Sequence, residues 1–449
     1  MYYRCISEDL RAWAQKPSRK PLILRGARQV GKTTEVKTFG QQYTTFLYLN
    51  LEIKAHRDLF ERDYSINELI AAIHFYLNKK IEQQGLTLLF IDEIQVSPKA
   101  AAMLRYFYEE RNDIHVIAAG SLLETLMGKH ISFPVGRVEY LFMYPMSFSE
   151  YLLALGETEA HSALEQLPCP SFAHEKLLHC FHEYTLVGGM PEAVSVFAKN
   201  KDLVATNAVY QALLLSFMED VEKYAPNRSL ATIIRHAIEH APLESGNRIH
   251  FEGFGHSHYK SREMGEALRI LEKTMLITLN YPTTKTVAPC EINYKKYPKL
   301  QFIDTGLVNY AASLQSHYFK LTDLHSIFMG RIVESVVAQE LLASNKMLRQ
   351  KIPFWVREKS QANAEVDFVF PFQQYAIPVE VKAGKTGALK SLMQYMELTD
   401  HAYAIRLYAG KIQTDTLKTP SGKSFQLLNL PYYLTSRIEK YLLDAIQGL

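Results

Sequence analysis

Along the first third of the chain, apolar residues gather into short unbroken runs separated by stretches long enough for a helix. Leu22–Leu24, Leu86–Ile91 and Ile114–Ala119 are such runs, and "TTFLYLNLE" (Thr44–Glu52) reads as a further strand. Runs of this kind predict strands buried on both faces of a parallel sheet, with helices between them. From Ser149 to about Ala225 the pattern is mostly helical, and Gly188-Gly189 before Pro191 reads as a helix stop and restart. Farther on, Met264, Leu268, Leu271 and Met275 keep helical spacing, with Ser261 as N-cap and Glu263 in the first turn. Strands at Leu276–Asn280 and Leu300–Asp304, about a turn at Tyr281-Pro282, complete the outline of a winged helix. "FMGRIVESVVAQELL" is an amphipathic helix with Met329, Ile332, Val333, Val336, Val337 and Leu341 towards the core. "AEVDFVFPFQQYAIPVEVK" (Ala364–Lys382) reads as a hairpin turning at Gln373-Gln374.

These changes of pattern divide the chain into 1–150, 151–225, 226–325 and 326–449. A length of 449 residues is what two to four domains need. The hydrophobic share of 47% against 22% charged makes each of them a globular fold. A net charge of +3 leaves no global attraction for a polyanion, so a nucleic-acid surface would have to be a local patch. Lys285, Lys295, Lys296 and Lys299, around the wing, form one such cluster, suited to phosphate contacts or to a solvated or dimerising face. Cys5, Cys169, Cys180 and Cys290 contain no C-x-x-C pair, which argues against a disulfide scaffold and a cysteine zinc site and suits a reducing compartment. The N-terminal residues lack an apolar signal core and no run approaches 18 apolar residues, so a cytoplasmic protein without a membrane partner is expected. His174, His179 and His182 do not share one clean i,i+4 face, so the helix that carries them reads as packed or solvated rather than metal-binding. His256 and His258 read as loop residues.

Two groups of residues carry candidate chemistry. The first begins after the Leu22–Leu24 run, where Gly26-Ala27-Arg28-Gln29-Val30-Gly31-Lys32-Thr33-Thr34 contains G-x-x-x-x-G-K-T. Glycines at Gly26 and Gly31 let the backbone curl so that its N–H groups face phosphate oxygens. The helix beginning near Lys32 adds its positive end, Lys32 reaches the β/γ-phosphates, and the Thr33 hydroxyl takes Mg²⁺. The Leu86–Ile91 strand ends in Asp92-Glu93, at the tip where open α/β sheets bind ligands. Asp92 would hold the Mg²⁺ shell and Glu93 would orient or deprotonate the attacking water. Ser121, at the end of the next strand, is either a contact to that water or γ-phosphate or an ordinary turn serine.

The second group is the hairpin. Alternation puts Glu380 and Lys382 on one face, and the turn at Gln373-Gln374 sets Asp367 opposite Glu380 and Glu365 opposite Lys382. Facing carboxylates repel unless a cation lies between them, and a divalent metal would serve. Lys382 beside it would position water or stabilise a phosphorane. Glu334, at the edge of its helix's apolar face, supplies a third carboxylate, and Gln394 with Tyr395 follows on a later helix. The other reading is an exposed face with a weak Glu365–Lys382 ion pair.

The P-loop, "LLFIDE" and the strand-end Ser121 follow the order of a P-loop ATPase of the AAA type, which they resemble. That resemblance places an arginine finger at Arg137, whose other reading is a surface salt bridge. Glu334, Asp367 and Glu380-x-Lys382 resemble the restriction-endonuclease-like PD-(D/E)xK set, although Val366 replaces the proline, and Gln394-Tyr395 is weakly similar to the extra helix motif of RecB-like members. Over nearly its whole length, through "GARQVGKTT", "FIDEIQ", "VGGMPEAV", "FIDTGL" and "EVDFV…PVEVK", the chain resembles a family of prokaryotic AAA-type ATPases ending in an uncharacterised restriction-endonuclease-like domain. The resemblance implies an α/β ATPase core, a helical lid, a winged helix and a nuclease-like α/β domain. It implies ATP with Mg²⁺ at Gly26, Gly31, Lys32, Thr33, Asp92 and Glu93, and Mg²⁺ or Mn²⁺ at Glu334, Asp367 and Glu380. The expected activity is ATP hydrolysis coupled to metal-dependent cleavage of DNA. The alternative is a nucleotide-switched protein holding DNA, a protein partner or further copies of itself, with a catalytically inactive nuclease-like domain. A protein-remodelling ATPase assembled as a ring is the third reading.

Overall fold

The computed structural model describes residues 2–80, 85–120, 136–313, 327–344, 351–359, 362–384 and 389–447. The chain divides into two compact units, the first built from residues 1–144 with 273–276, the second from most of the remainder.

The first unit is built on five strands: β1 (Leu22–Arg25), β2 (Thr45–Asn50), β3 (Thr87–Asp92), β4 (His115–Gly120) and β5 (Glu139–Phe142). They lie in the order β2-β3-β4-β1-β5, and every pairing is parallel. Each of the four strands expected from the apolar runs forms within a residue or two of its expected ends. β1 and β4 are buried along their whole length, as strands covered on both faces must be. Leu89, Ile91, Val116 and Ala118 pack with Leu69, Ile73, Leu104 and Phe107 from two covering helices. Those helices start where the chain caps them: Ser65 and Glu68 form a reciprocal capping box, and Ser97 accepts from the Ala100 N–H with Pro98 at the first helical position. Because β4 separates β1 from β3, the carboxyl ends of the two motif-bearing strands open onto one crevice.

The second unit starts with helices that include Phe148–Ala154, His174–Val187, Pro191–Asn200, Asn207–Glu219 and Arg228–His240. The expected stop lies at Gly188, which has φ 68°, and a Cβ there would come within 2.3 Å of Asp304 Oδ1. Only glycine fits both conditions. Asp304 accepts from the Gly189 N–H at 2.5 Å and caps the helix Thr305–Ala311 through the Leu307 N–H. Two of the helical histidines are packed, His174 meeting the Tyr433 hydroxyl at 3.1 Å and His182 that of Tyr432 at 3.0 Å, while His179 is exposed. The helix Ser261–Lys273 leads to β6 (Ile277–Asn280), and β7 (Pro282–Thr283) precedes β8 (Lys299–Phe302), which pairs antiparallel with β6. After the helix Ile327–Ser344 come β9 (Phe354–Lys359), β10 (Ala362–Val366), β11 (Phe368–Phe372), β12 (Tyr375–Val381), β13 (Tyr403–Tyr408), β14 (Gln413–Lys418) and β15 (Ser424–Pro431). They form one sheet in the order β10-β9-β7 and another in the order β11-β12-β13-β15-β14.

The hairpin differs from expectation in one respect. Its turn and register are as read, with Phe368 opposite Val379 and Phe372 opposite Tyr375. Asp367, however, is a bend at which the chain leaves one sheet for the other. Glu365 therefore pairs across β9 with Val356, and not with Lys382. Glu380 is 5% exposed, so the face it shares is no solvated face. Among the described residues, no helix is long and apolar enough to cross a membrane.

Candidate functional site

The loop after β1 holds the conformation that its glycines permit. Gly31 has φ 101° and Gln29 φ 64°, and a Cβ on Gly26 would lie 2.4 Å from the Met143 carbonyl oxygen. Ala27 and Val30 are buried under the loop, Arg28 is half-buried, and Gln29 and Thr34 are exposed. Lys32 is buried, and its ammonium donates back to the carbonyls of Gly26 and Ala27 at 2.9 and 2.8 Å. Burial lowers its pKa to about 8, against the opposing pull of Glu93 and Asp92. The lysine is thus folded back onto its own loop, held by two neutral carbonyl acceptors.

Across the crevice, the Thr33 hydroxyl donates to Asp92 Oδ2 at 2.8 Å, and the Tyr48 hydroxyl to the same oxygen at 3.3 Å. A hydroxyl beside a single carboxylate, facing a phosphate site, is the donor set Mg²⁺ uses when nucleotide phosphates and water supply the rest. These residues fit the ion. Glu93 follows in a left-handed conformation, φ 54°, and the Gln95 amide donates to its carboxylate. Burial pushes the Glu93 pKa up, the direction a general base needs.

Two residues here escaped sequence reasoning. Gln95 positions Glu93 from within "FIDEIQ". Arg4, 7% exposed, donates to the Val30 carbonyl at 2.8 Å and to that of Tyr144 at 2.7 Å, bracing the loop. Nothing local in "MYYRC" marks it, because its partners lie far along the chain. Arg137 makes a half-exposed ion pair with Glu109 at 2.5 Å, the bland alternative to a finger. Ser121 lies outside the described residues.

In the second unit, Lys299 stands at the centre of the acidic group. Its ammonium lies 2.5 Å from Glu334, 2.8 Å from Glu365 and 3.7 Å from Asp367. Arg248 reaches the other Glu365 oxygen at 3.8 Å. Lys299 is 7% exposed, so its place among the phosphate-contacting lysines of a wing is corrected: it faces carboxylates inside the fold. Burial alone would discharge it, but Glu334, Asp367 and Glu365 outweigh that and hold its pKa above the ordinary lysine range. Lys285 and Lys295 are exposed. Asp367 Oδ2 accepts the Val381 N–H at 2.8 Å, and Lys382 pairs with Glu380 Oε1 at 2.6 Å. Burial, then the Asp367 charge, push the Glu380 pKa up. Tyr395 belongs to the core, its hydroxyl donating to the Ala376 carbonyl at 2.8 Å, and Gln394 accepts a long 3.4 Å contact from Arg357.

The arrangement does not fit a divalent ion as the sequence suggested. The unpartnered, buried Glu380 Oε2 would suit one. Yet the cation between Glu334 and Asp367 is Lys299. Among the described residues, the triplet of possible ligands whose donor atoms all lie within 4.8 Å of one another is His236, Glu239 and His240, not Glu334, Asp367 and Glu380.

A parallel sheet with a phosphate loop after one strand and an acidic pair at the tip of another defines a P-loop nucleotide-binding protein. Residues 18–152 match the model of an AAA domain, so the first unit carries an AAA-type P-loop ATPase domain. Residues 178–318 and 329–433 match two domains of unknown function, DUF8612 and DUF4143. No curated protein sequence matches the chain. Among solved structures, the Walker-type ATPase PABY2304 of Pyrococcus abyssi is 14% identical, covering 70% of this chain and 96% of its own, with a TM-score of 0.46. The Aeropyrum pernix ORC1 protein in complex with DNA is 12% identical over 70% of this chain and 92% of its own, with a TM-score of 0.29. The Thermotoga maritima RuvB Holliday junction branch migration motor is 14% identical over 66% of this chain and 93% of its own, with a TM-score of 0.26. At these identities and scores the likenesses carry no weight on function.

Proposed function

We propose that the protein hydrolyses ATP and uses the bound nucleotide as a switch for its hold on a partner, DNA or protein, with the nuclease-like C-terminal fold acting as a scaffold. The observation that carries the reading is the group Lys32, Thr33, Asp92 and Glu93 around one crevice. On nucleotide binding, Lys32 exchanges the Gly26 and Ala27 carbonyls for phosphate oxygens, and the loop N–H groups take the remaining charge. Thr33 and Asp92 would hold Mg²⁺, which when bound neutralises charge on the phosphates. Glu93, with its pKa raised by burial, accepts the proton of the attacking water while Gln95 keeps its carboxylate in place. Of the two expectations for the C-terminal domain, the inactive one is favoured, because the Lys299 ammonium already occupies the place among Glu334, Glu365 and Asp367.

Phosphate release by the wild-type protein, Lys32→Ala and Glu93→Gln tests the ATPase. Loss in Lys32→Ala, and nucleotide binding without turnover in Glu93→Gln, are expected. Turnover surviving in both variants would sink it. For the switch, filter binding of DNA and pull-down of a second tagged copy are compared with ATP, ADP and no nucleotide. Equal retention in all three would exclude nucleotide control of these partners.

A further inference from the structure

Lys299 comes from β8, Glu334 from the helix Ile327–Ser344, and Glu365 and Asp367 from the end of β10 and the bend after it. An ammonium carries three donors, and here three carboxylates from two stretches of chain surround it, two of them within hydrogen-bond distance. A buried lysine is expensive unless it is paired in this way. The formal charges fit it closely. Glu334, Glu365, Asp367 and Glu380 are faced by Lys299, Arg248 and Lys382, leaving a surplus of about one negative charge. With every carboxyl ionised, loss of Lys299 would double that surplus. Lys299, Glu334 and Asp367 line one small, partly enclosed pocket together with Asn280 and Phe354.

We infer that Lys299 is the resident cation of this acidic cluster, that it excludes a divalent metal, and that removing its charge opens a site for a hard divalent ion. The inference rests on the placement of Lys299 and is independent of ATP turnover. It deepens the reading of the C-terminal fold as inactive by naming the side chain responsible.

The test is Mn²⁺ binding, followed by the loss of free-ion paramagnetic resonance, in full-length protein without nucleotide. Every protein carries Asp92→Asn to silence the nucleotide crevice. The parent is expected to bind no stoichiometric Mn²⁺. Lys299→Met gains one site at least tenfold tighter, which Asp367→Asn then removes. Lys299→Arg, which keeps the charge, gains none. Stoichiometric Mn²⁺ in the parent, abolished by Asp367→Asn, overturns the inference, and that arm needs no change at Lys299. A folded Lys299→Met protein that gains no Mn²⁺ also overturns it. If Lys299→Met does not fold, a metal-free parent and a metal-free Lys299→Arg support the inference. Failure of ATP hydrolysis would leave these outcomes unchanged, so the two readings fail separately.

Discussion

The state of Lys32 makes nucleotide affinity depend on pH in a way that can be calculated. In the free protein its pKa is lowered to about 8 by burial, because its partners are two carbonyls that stabilise a charge poorly. A bound polyphosphate would raise it again, by several charge-assisted contacts, above the working range. Binding therefore takes up a proton wherever the free lysine is partly neutral. The sign follows: affinity is fully present below pH 8 and is lost as pH rises through it. For a free pKa near 8 and a bound one well above 10, the dissociation constant scales as 1 + 10^(pH − 8), which gives a rise of about 25-fold between pH 7.5 and 9.5. At pH 8 uptake should be ~0.5 proton per site. Titration calorimetry with ATP, repeated in buffers of different ionisation enthalpy, measures both quantities. Lys32→Arg keeps a charge that does not titrate here, so its affinity should be lower but nearly flat with pH. A change of less than about twofold in the wild-type protein, with no proton uptake, would refute the claim that the parked lysine is half neutral at pH 8.

Arg4→Ala removes one buried charge-assisted contact to the loop at Val30 and one part-buried contact to Tyr144 and should cost about 3 kcal/mol, read as a lower thermal midpoint together with weaker nucleotide binding; Arg4→Lys should restore neither fully, and an unchanged affinity would exclude bracing of the loop. Glu340 accepts from the Tyr184 hydroxyl and the Phe148 N–H, both at 2.8 Å, on one oxygen, and burial raises its pKa to about 7. Its raised folded pKa means that its contribution is fully present below about pH 4.5 and is lost as pH rises through 7, a difference of ~3 kcal/mol. Glu340→Gln keeps the accepting oxygen, so denaturant melts should lose that part of the pH dependence, and an identical slope in both proteins would contradict the assignment.

What was legible in the sequence was whatever neighbours in the chain decide. Four of the five strands of the first unit show in their own residues, β5 being the exception, the loop is nine consecutive residues, and the acidic pair ends its own strand. The hairpin turn at Gln373-Gln374 was legible for the same reason. The register arithmetic failed at Glu365 because it assumed that one sheet continues through Asp367, and the bend there carries the preceding strand to β9. Lys299 was misread because a lysine beside other lysines resembles a solvated patch. Its partners stand 35, 66 and 68 positions away in sequence, so only the tertiary fold could name them.

The buried acids of the second unit also separate architecture from candidate chemistry by what satisfies them. Asp304 is fully buried and accepts backbone N–H groups of Gly189 and Leu307, groups that cannot leave without unravelling two helix ends. The motifs "VGGMPEAV" and "FIDTGL" are thereby one structural joint. Glu334 instead meets the tip of a flexible side chain, and Asp367 turns one oxygen towards that tip while its other oxygen accepts the Val381 N–H. An ammonium can be withdrawn, or replaced by another cation, without breaking a helix or a strand. A carboxylate oxygen held by backbone is committed to the fold, whereas one held by a lysine keeps its capacity for other ligands. That contrast is why a single substitution at Lys299 is the change that would convert this cluster from a closed ion pair into a metal site.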